Sequence, residues 1–152
     1  MKKILFVCTG NTCRSPIAEG IMKKLLESNG LNESVEIESA GTSVFSNFGA
    51  SANAIKVAAE LSVDISSHRT RQISKEILLE TNIVITMTNE QKSLLGEAYE
   101  IAALKTFTLA EYSTGTLEDV TDPIGGDIDD YRYCRDQILG YLIKLTEVLR
   151  KT

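Results

Sequence analysis

Cys8-Thr9-Gly10-Asn11-Thr12-Cys13-Arg14-Ser15-Pro16 follows directly on the apolar run Ile4-Leu5-Phe6-Val7, so one short loop carries a thiol, an arginine and a series of backbone N–H groups. Phosphoryl transfer needs those parts: a nucleophile, donors for the phosphoryl oxygens and a fixed cation. Five residues separate Cys8 from Arg14, enough to curl the backbone around a tetrahedral oxyanion, and Gly10 and Asn11 tolerate the left-handed conformations such a curl needs. Ser15-Pro16 reads as a helix start, where proline loses no useful donor and the dipole favours both an anion and a thiolate at Cys8. Arg14 offers a planar fork that holds two phosphoryl oxygens as charge spreads over them. Taken singly, Cys8 is a small buried hydrophobe and Arg14 a surface residue. Together, at this spacing and between strand and helix, they read as a catalytic loop. The loop has neither the Gly-Lys of a Walker A sequence nor the three-glycine spacing of a dinucleotide fingerprint.

Four short runs carrying β-branched residues must hold this loop: 4–8, 35–39, 83–87 and 104–108. The first and third are nearly continuous apolar stretches, which suit strands buried on both faces of a parallel sheet. Helical patterns lie between them. Ile17, Ile21 and Leu25, with Ala18, Met22 and Leu26, form one stripe that Asn29-Gly30 closes. Residues 51–61 give a second helix, 74–81 a short third, and Thr88-Asn89-Glu90-Gln91 has capping-box spacing for a fourth. The last runs from Asp127 to about Arg150, because Tyr131, Cys134, Ile138, Leu142, Leu145 and Leu149 recur at three- and four-residue steps. Alternating strands and helices predict right-handed βαβ units in an α/β, three-layer, flavodoxin-like sheet of four parallel strands in order 2-1-3-4. Its ligand site lies beyond the strand C-termini, where Cys8 falls. Segments 39–51 and 109–126 read as long connections, and the 152 residues as one domain, 1–152.

Composition narrows the function. A net charge of −5 supplies no basic field for phosphate-backbone contacts, so nucleic acid is not the expected partner. No apolar run approaches the ~20 residues of a membrane helix, and Lys2-Lys3 before Ile4 falls short of a signal core of ~7–15 residues. Three cysteines without regular spacing make no disulfide scaffold, which points to a reducing cytoplasm with Cys8 available as a thiol. One histidine and no Cys-x-x-Cys pair leave too few ligands for zinc or iron, so no metal and no cofactor are expected.

The loop, Ser39-Ala40-Gly41-Thr42, Asp64-Ile65-Ser66-Ser67-His68-Arg69 and Thr121-Asp122-Pro123 stand in one order over nearly the whole chain. In this the sequence resembles the low-molecular-weight protein tyrosine phosphatase family. The resemblance implies that residues 9–15 bind phosphate, that Cys8 attacks phosphorus, and that Asp122 protonates the leaving group. Water then hydrolyses the phosphocysteine with Asp122 as base. Chemically, Asp122 is a carboxyl on a proline-stiffened loop, and general acid–base help is worth about 10²–10⁴ in rate; by itself Asp-Pro is a turn. The resemblance further implies that Ser15 hydrogen-bonds the departing sulfur, although a helix cap is an equally simple role. It also implies that His68, with Asn11 and Ser39, ties the loop to the scaffold, and that Cys13 can form a reversible disulfide with Cys8, against the simpler role of packing. Cys134, on the apolar face of the last helix, reads as core.

Phosphotyrosine enzymes of this family usually carry a bulky aliphatic residue where this chain has Thr12, and aromatic residues after the Asp-Pro. Here Ile124-Gly125-Gly126 follow, leaving Phe45 or Phe48 as the candidate wall for a phenyl ring. Thr9-Gly10-Asn11-Thr12 and the segment 122–129 resemble instead the protein arginine phosphatases of Gram-positive bacteria. Thr12 offers a smaller wall and a hydroxyl to a guanidinium, and Asp122 can pair with its nitrogens before protonating the one that leaves. Glu118, Asp119, Asp127, Asp129 and Asp130 can attract a cationic substrate, or simply complement a helix dipole. The expected function is therefore a monomeric phosphatase acting on phosphoarginine in phosphorylated proteins, the alternative a protein tyrosine phosphatase. An arsenate reductase-like enzyme is more remote, since no cysteine lies between Cys13 and Cys134, and a non-catalytic oxyanion- or phosphoprotein-binding module is disfavoured by intact Cys8, Arg14 and Asp122.

Overall fold

The apolar runs become strands, as their composition predicts. In the computed structural model, which describes residues 1–45 and 47–152, they are β1 (Lys2–Cys8), β2 (Val35–Gly41), β3 (Ile83–Thr86) and β4 (Thr106–Thr108), all parallel, in order β2-β1-β3-β4. Ser46, inside the long connection expected over 39–51, lies outside the described residues. β1 is central, and its period-two alternation feeds two cores. Ile4, Phe6 and Cys8 face one side, Leu5 and Val7 the other, and Ile4 through Val7 are wholly buried. Burying each such large side chain contributes about 1.5–3 kcal/mol, so β1 is a rigid rod with Cys8 at its tip.

Three helices cover the first face: α1 (Arg14–Ser28), α2 (Ala52–Ala59) and α6 (Ile128–Arg150). The α6 stripe of Tyr131, Cys134, Ile138, Leu142, Leu145 and Leu149 is buried as its spacing requires. On the other face, α3 (Lys75–Glu80) and α4 (Asn89–Ala98) enclose Leu5, Val7, Leu78 and Leu95. Ser51, Ser74, Thr88 and Asp127 cap α2, α3, α4 and α6, the last two through complete capping boxes. The α1 stripe ends where Leu31 N–H reaches back to Leu26 O and Gly30 takes φ 70°.

Three expectations need correction. The connection over 109–126 is not all loop, because α5 (Leu109–Thr114) occupies its start, opened by a Thr108–Glu111 capping box and closed by Gly115 at φ 73°. β4 begins at Thr106 rather than Leu104, since a 3-10 turn at Glu100–Ala102 precedes it and Leu104 is exposed. The helix cap is not Ser15: α1 starts at Arg14, its N-cap is Cys13 without a side-chain bond, and Ser15 is buried in the first turn.

Candidate active site

β1 ends at Cys8 and α1 begins at Arg14, so the sheet's carboxyl edge and a helix N-terminus meet across Thr9–Cys13. Asn11 makes the bend. It is fully buried at φ 58°, whereas Gly10, expected to share that role, is not in the left-handed region. The bend is tolerable because asparagine visits this region more readily than most residues and because its side-chain amide and its carbonyl are engaged.

Those bonds set a direction along which protons are shared. The backbone N–H of Arg71 donates to Asn11 Oδ1 at 3.0 Å, which fixes the side-chain amide. Asn11 Nδ2 then donates to Ser15 Oγ at 2.8 Å and to Ser39 Oγ at 3.1 Å, while the Ser39 hydroxyl donates to Glu19 Oε1. Ser15 Oγ, which accepts from Asn11, lies 2.9 Å from Cys8 Sγ, and its one proton is free to be donated when the sulfur is a thiolate. His68 Nε2 stands 2.8 Å from Asn11 O, which can only accept, so the ring nitrogen carries the proton. The structure thus brings His68 and Ser39 together on Asn11.

Residues outside the motif complete the cradle. Gln91, nine-tenths buried, accepts from the N–H groups of Met87 and Thr88 and donates through Nε2 to Thr9 Oγ1 at 3.2 Å. Gly41 lets β2 approach the loop, since a Cβ there would lie 2.6 Å from Thr9 O and 3.0 Å from Asn11 Cβ. The sequence pattern exposed Gln91 only as half of a capping box and gave no sign of Glu19; both act through the tertiary fold.

Arg14 is buried, with Nη1 donating to Val120 O at 3.0 Å and Nη2 3.5 Å from Asp122 Oδ2. Asp122 Oδ1 accepts from Ile124 N–H, leaving Oδ2 as the oxygen turned toward Arg14. Thr9, Arg14 and Asp122 line a cleft of about 500 Å³ together with Glu90, Leu94 and Asp119. Phe45 and Phe48 are exposed and do not line that cleft, so the expected aromatic wall is not formed there. Thr12 is partly buried and also outside the lining, with Oγ1 3.6 Å from Cys13 Sγ. The other acids near Asp122 serve structure: Asp127 and Asp130 form the α6 capping box, Asp129 pairs with Arg132, Glu118 accepts from Tyr141, and Asp119 accepts from Asn89.

Cys8, Cys13 and Cys134 are free, buried thiols. Cys13 Sγ lies 3.4 Å from Ser51 Oγ and 3.6 Å from Tyr131 Oη. Cys134 is core, and burial pushes its thiol up to about 12, away from reactivity at neutral pH. Among the described residues no His, Cys, Asp and Glu cluster is arranged to hold a metal, and no helix is long and apolar enough to cross a membrane.

The sequence pattern of a family described as "Low molecular weight phosphotyrosine protein phosphatase" matches residues 3–152. A protein-arginine-phosphatase of Bacillus subtilis (strain 168) is 38% identical over 148 residues, 97% of each chain. The low molecular weight protein-tyrosine-phosphatase PtpB of Staphylococcus haemolyticus is 36% identical over 141 residues, covering 93% of this chain and 94% of that one. Among solved structures, the YwlE arginine phosphatase, as a mutant with a phosphorylated active-site serine, superposes with a TM-score of 0.93 at 37% identity, covering 98% of this chain and 96% of its own.

Proposed function

The chain belongs to the low molecular weight phosphotyrosine protein phosphatase family, and from that premise we propose that residues 1–152 form one phosphatase domain that removes phosphate from arginine side chains of proteins. The phosphoryl group sits in the loop 8–15, its oxygens held by backbone N–H groups and the Arg14 fork. Cys8 Sγ attacks phosphorus; the S–P bond forms as P–N breaks, and the electron pair leaves with the guanidinium nitrogen, which takes a proton from Asp122 Oδ2. Water then attacks the phosphocysteine, Asp122 accepts its proton, and Cys8 departs as a thiolate steadied by Ser15. Positioning and charge stabilisation carry the step, as is general for phosphoryl transfer.

The carrying observation is that Asn11 holds Ser15 Oγ within 2.9 Å of Cys8 Sγ while Arg14 of the same loop pairs with Asp122. Arginine is preferred to tyrosine as substrate because Ile124-Gly125-Gly126 supply no ring after the Asp-Pro and neither Phe45 nor Phe48 lines the cleft. Asp122 lines the cleft and can pair with a guanidinium, and Thr12 keeps a small polar residue in the phosphate loop. Protein tyrosine phosphatase activity is the second reading, favoured by the staphylococcal relative. The enzyme works as a cytoplasmic monomer on phosphorylated proteins, without nucleic acid or membrane as partner. Cys8→Ser abolishes phosphate release from a phosphoarginine protein, and Asp122→Asn lowers it about 10²–10⁴-fold; unchanged release by Cys8→Ser would refute the mechanism.

A further inference from the structure

We infer that Gln137 is a positioning residue for the general acid, an assignment that rests on the phosphatase reading above. Asp122 lies within a stretch, 115–127, without helix or strand, so its place depends on tethers from elsewhere. Asn89, at the start of α4, donates from Nδ2 to Leu117 O at 2.8 Å and from its backbone to Asp119 Oδ1 at 2.8 Å. Met87 O accepts from Val120 N–H at 2.9 Å, and Arg14 donates to Val120 O. These hold the loop from beneath and from one flank.

Gln137 holds it from α6. Its Oε1 accepts from Thr121 N–H at 3.2 Å and its Nε2 donates to Asp119 O at 3.1 Å. A backbone N–H can only donate and a carbonyl can only accept, so both contacts agree on one amide orientation. The side-chain amide thus serves residues 119 and 121 as a neighbouring strand's peptide group would. Its base is firm, because Cys134, Ile138 and Leu142 anchor that part of α6 in the core. Thr121 is also the last residue before Asp122, so this bond is the final external backbone tether before the carboxyl.

Losing it leaves Thr121 N–H and Asp119 O able to turn to water, so the stability cost is small. The catalytic cost is larger, since a displacement of about 1 Å at a reacting group can cost about 10² in rate. That cost falls only on steps needing the proton of Asp122. In kcat/KM, which covers the reaction up to departure of the leaving group, it appears with a leaving group that must be protonated and not with one that leaves as a stable anion.

Gln137→Ala and Gln137→Met, the second keeping length and apolar stem, are compared with the parent on phenyl phosphate and 2,4-dinitrophenyl phosphate, with Cys8→Ser as blank and thermal melting alongside. Expected is a loss of about tenfold or more in kcat/KM on phenyl phosphate with less than about twofold on the dinitrophenyl ester, a fraction of what a positioned acid supplies. Equal losses on both esters, or none on either, would overturn the positioning role while leaving the phosphatase reading in place. A parent that releases phosphate in a Cys8-dependent way from neither ester nor from a phosphoarginine protein would overturn both.

Discussion

Asn11 shows how much one residue can settle. Its left-handed backbone makes the loop's bend, and its amide, locked by Arg71 N–H, holds Ser15 Oγ beside Cys8 Sγ. Gly41 is the steric counterpart. Gly41→Ala places a methyl against backbone Thr9 O, which cannot swing aside, so it should destabilise the fold by about 1–3 kcal/mol and weaken oxyanion binding, read by denaturant unfolding and phosphate inhibition. An unchanged midpoint and inhibition constant would mean that β2 does not press on the loop. Cys134 gives a pH prediction. Burial lifts its thiol from an ordinary value near 9 to about 12. A raised value in the fold means the contribution is complete below about pH 9 and is lost as pH climbs toward 12, because the unfolded chain ionises first. Alkylation at pH 8 should therefore spare Cys134 in the native protein and label it after denaturation, as peptide mapping would show.

The elements inherit their order from local signals, and the misses have local reasons. β1, α1, α4 and α6 were legible because long apolar runs or stripes ended in recognisable caps, as at Asn29-Gly30, Thr88–Gln91 and Asp127. Six-residue α5 repeats its apolar stripe too briefly for periodicity to register, although its Thr108–Glu111 capping box stood in plain view. The loop 8–15 and Asp122 were legible as a motif; Glu19, Gln91 and Gln137 were not, because their bonds span distant parts of the chain and exist only once the helices pack. Between elements, Glu60 at the end of α2 bridges to α6 through Arg132 and Arg135, which hold its carboxyl at about 2 against an ordinary 4.5. With the folded value depressed, this stabilisation is full above pH 4.5 and is lost as pH falls toward 2. Glu60→Gln should thus lose stability at pH 6 and converge on the parent near pH 2.5 in unfolding titrations. A constant gap at both pH values would show that the bridge does not titrate as stated.

At the scale of the whole molecule, the sheet brings parts far apart in sequence to one edge: Cys8 at the tip of β1, Gly41 at the end of β2, Gln91 after β3, and Asp122 beyond β4 and α5. Such an edge, where parallel strands deliver their ends beside a helix N-terminus, is where open α/β sheets bind ligands. With an oxyanion held by both the loop and Arg14, as proposed, filling the site should stabilise the entire fold by mass action, about 2.7 kcal/mol at a phosphate concentration 100 times its dissociation constant. Arg14→Ala should erase that gain in a thermal melt, and its persistence would place phosphate elsewhere.

Substrate choice at this edge separates the phosphoarginine reading from the phosphotyrosine one. Matched proteins carrying phosphoarginine or phosphotyrosine, assayed under reducing conditions for phosphate release with Cys8→Ser as control, give the ratio of the two kcat/KM values directly. A higher kcat/KM for phosphoarginine, abolished for both substrates by Cys8→Ser, is the predicted result. A higher value for phosphotyrosine would contradict the roles given to Thr12 and Asp122 in substrate choice, and release that survives Cys8→Ser would contradict the mechanism itself.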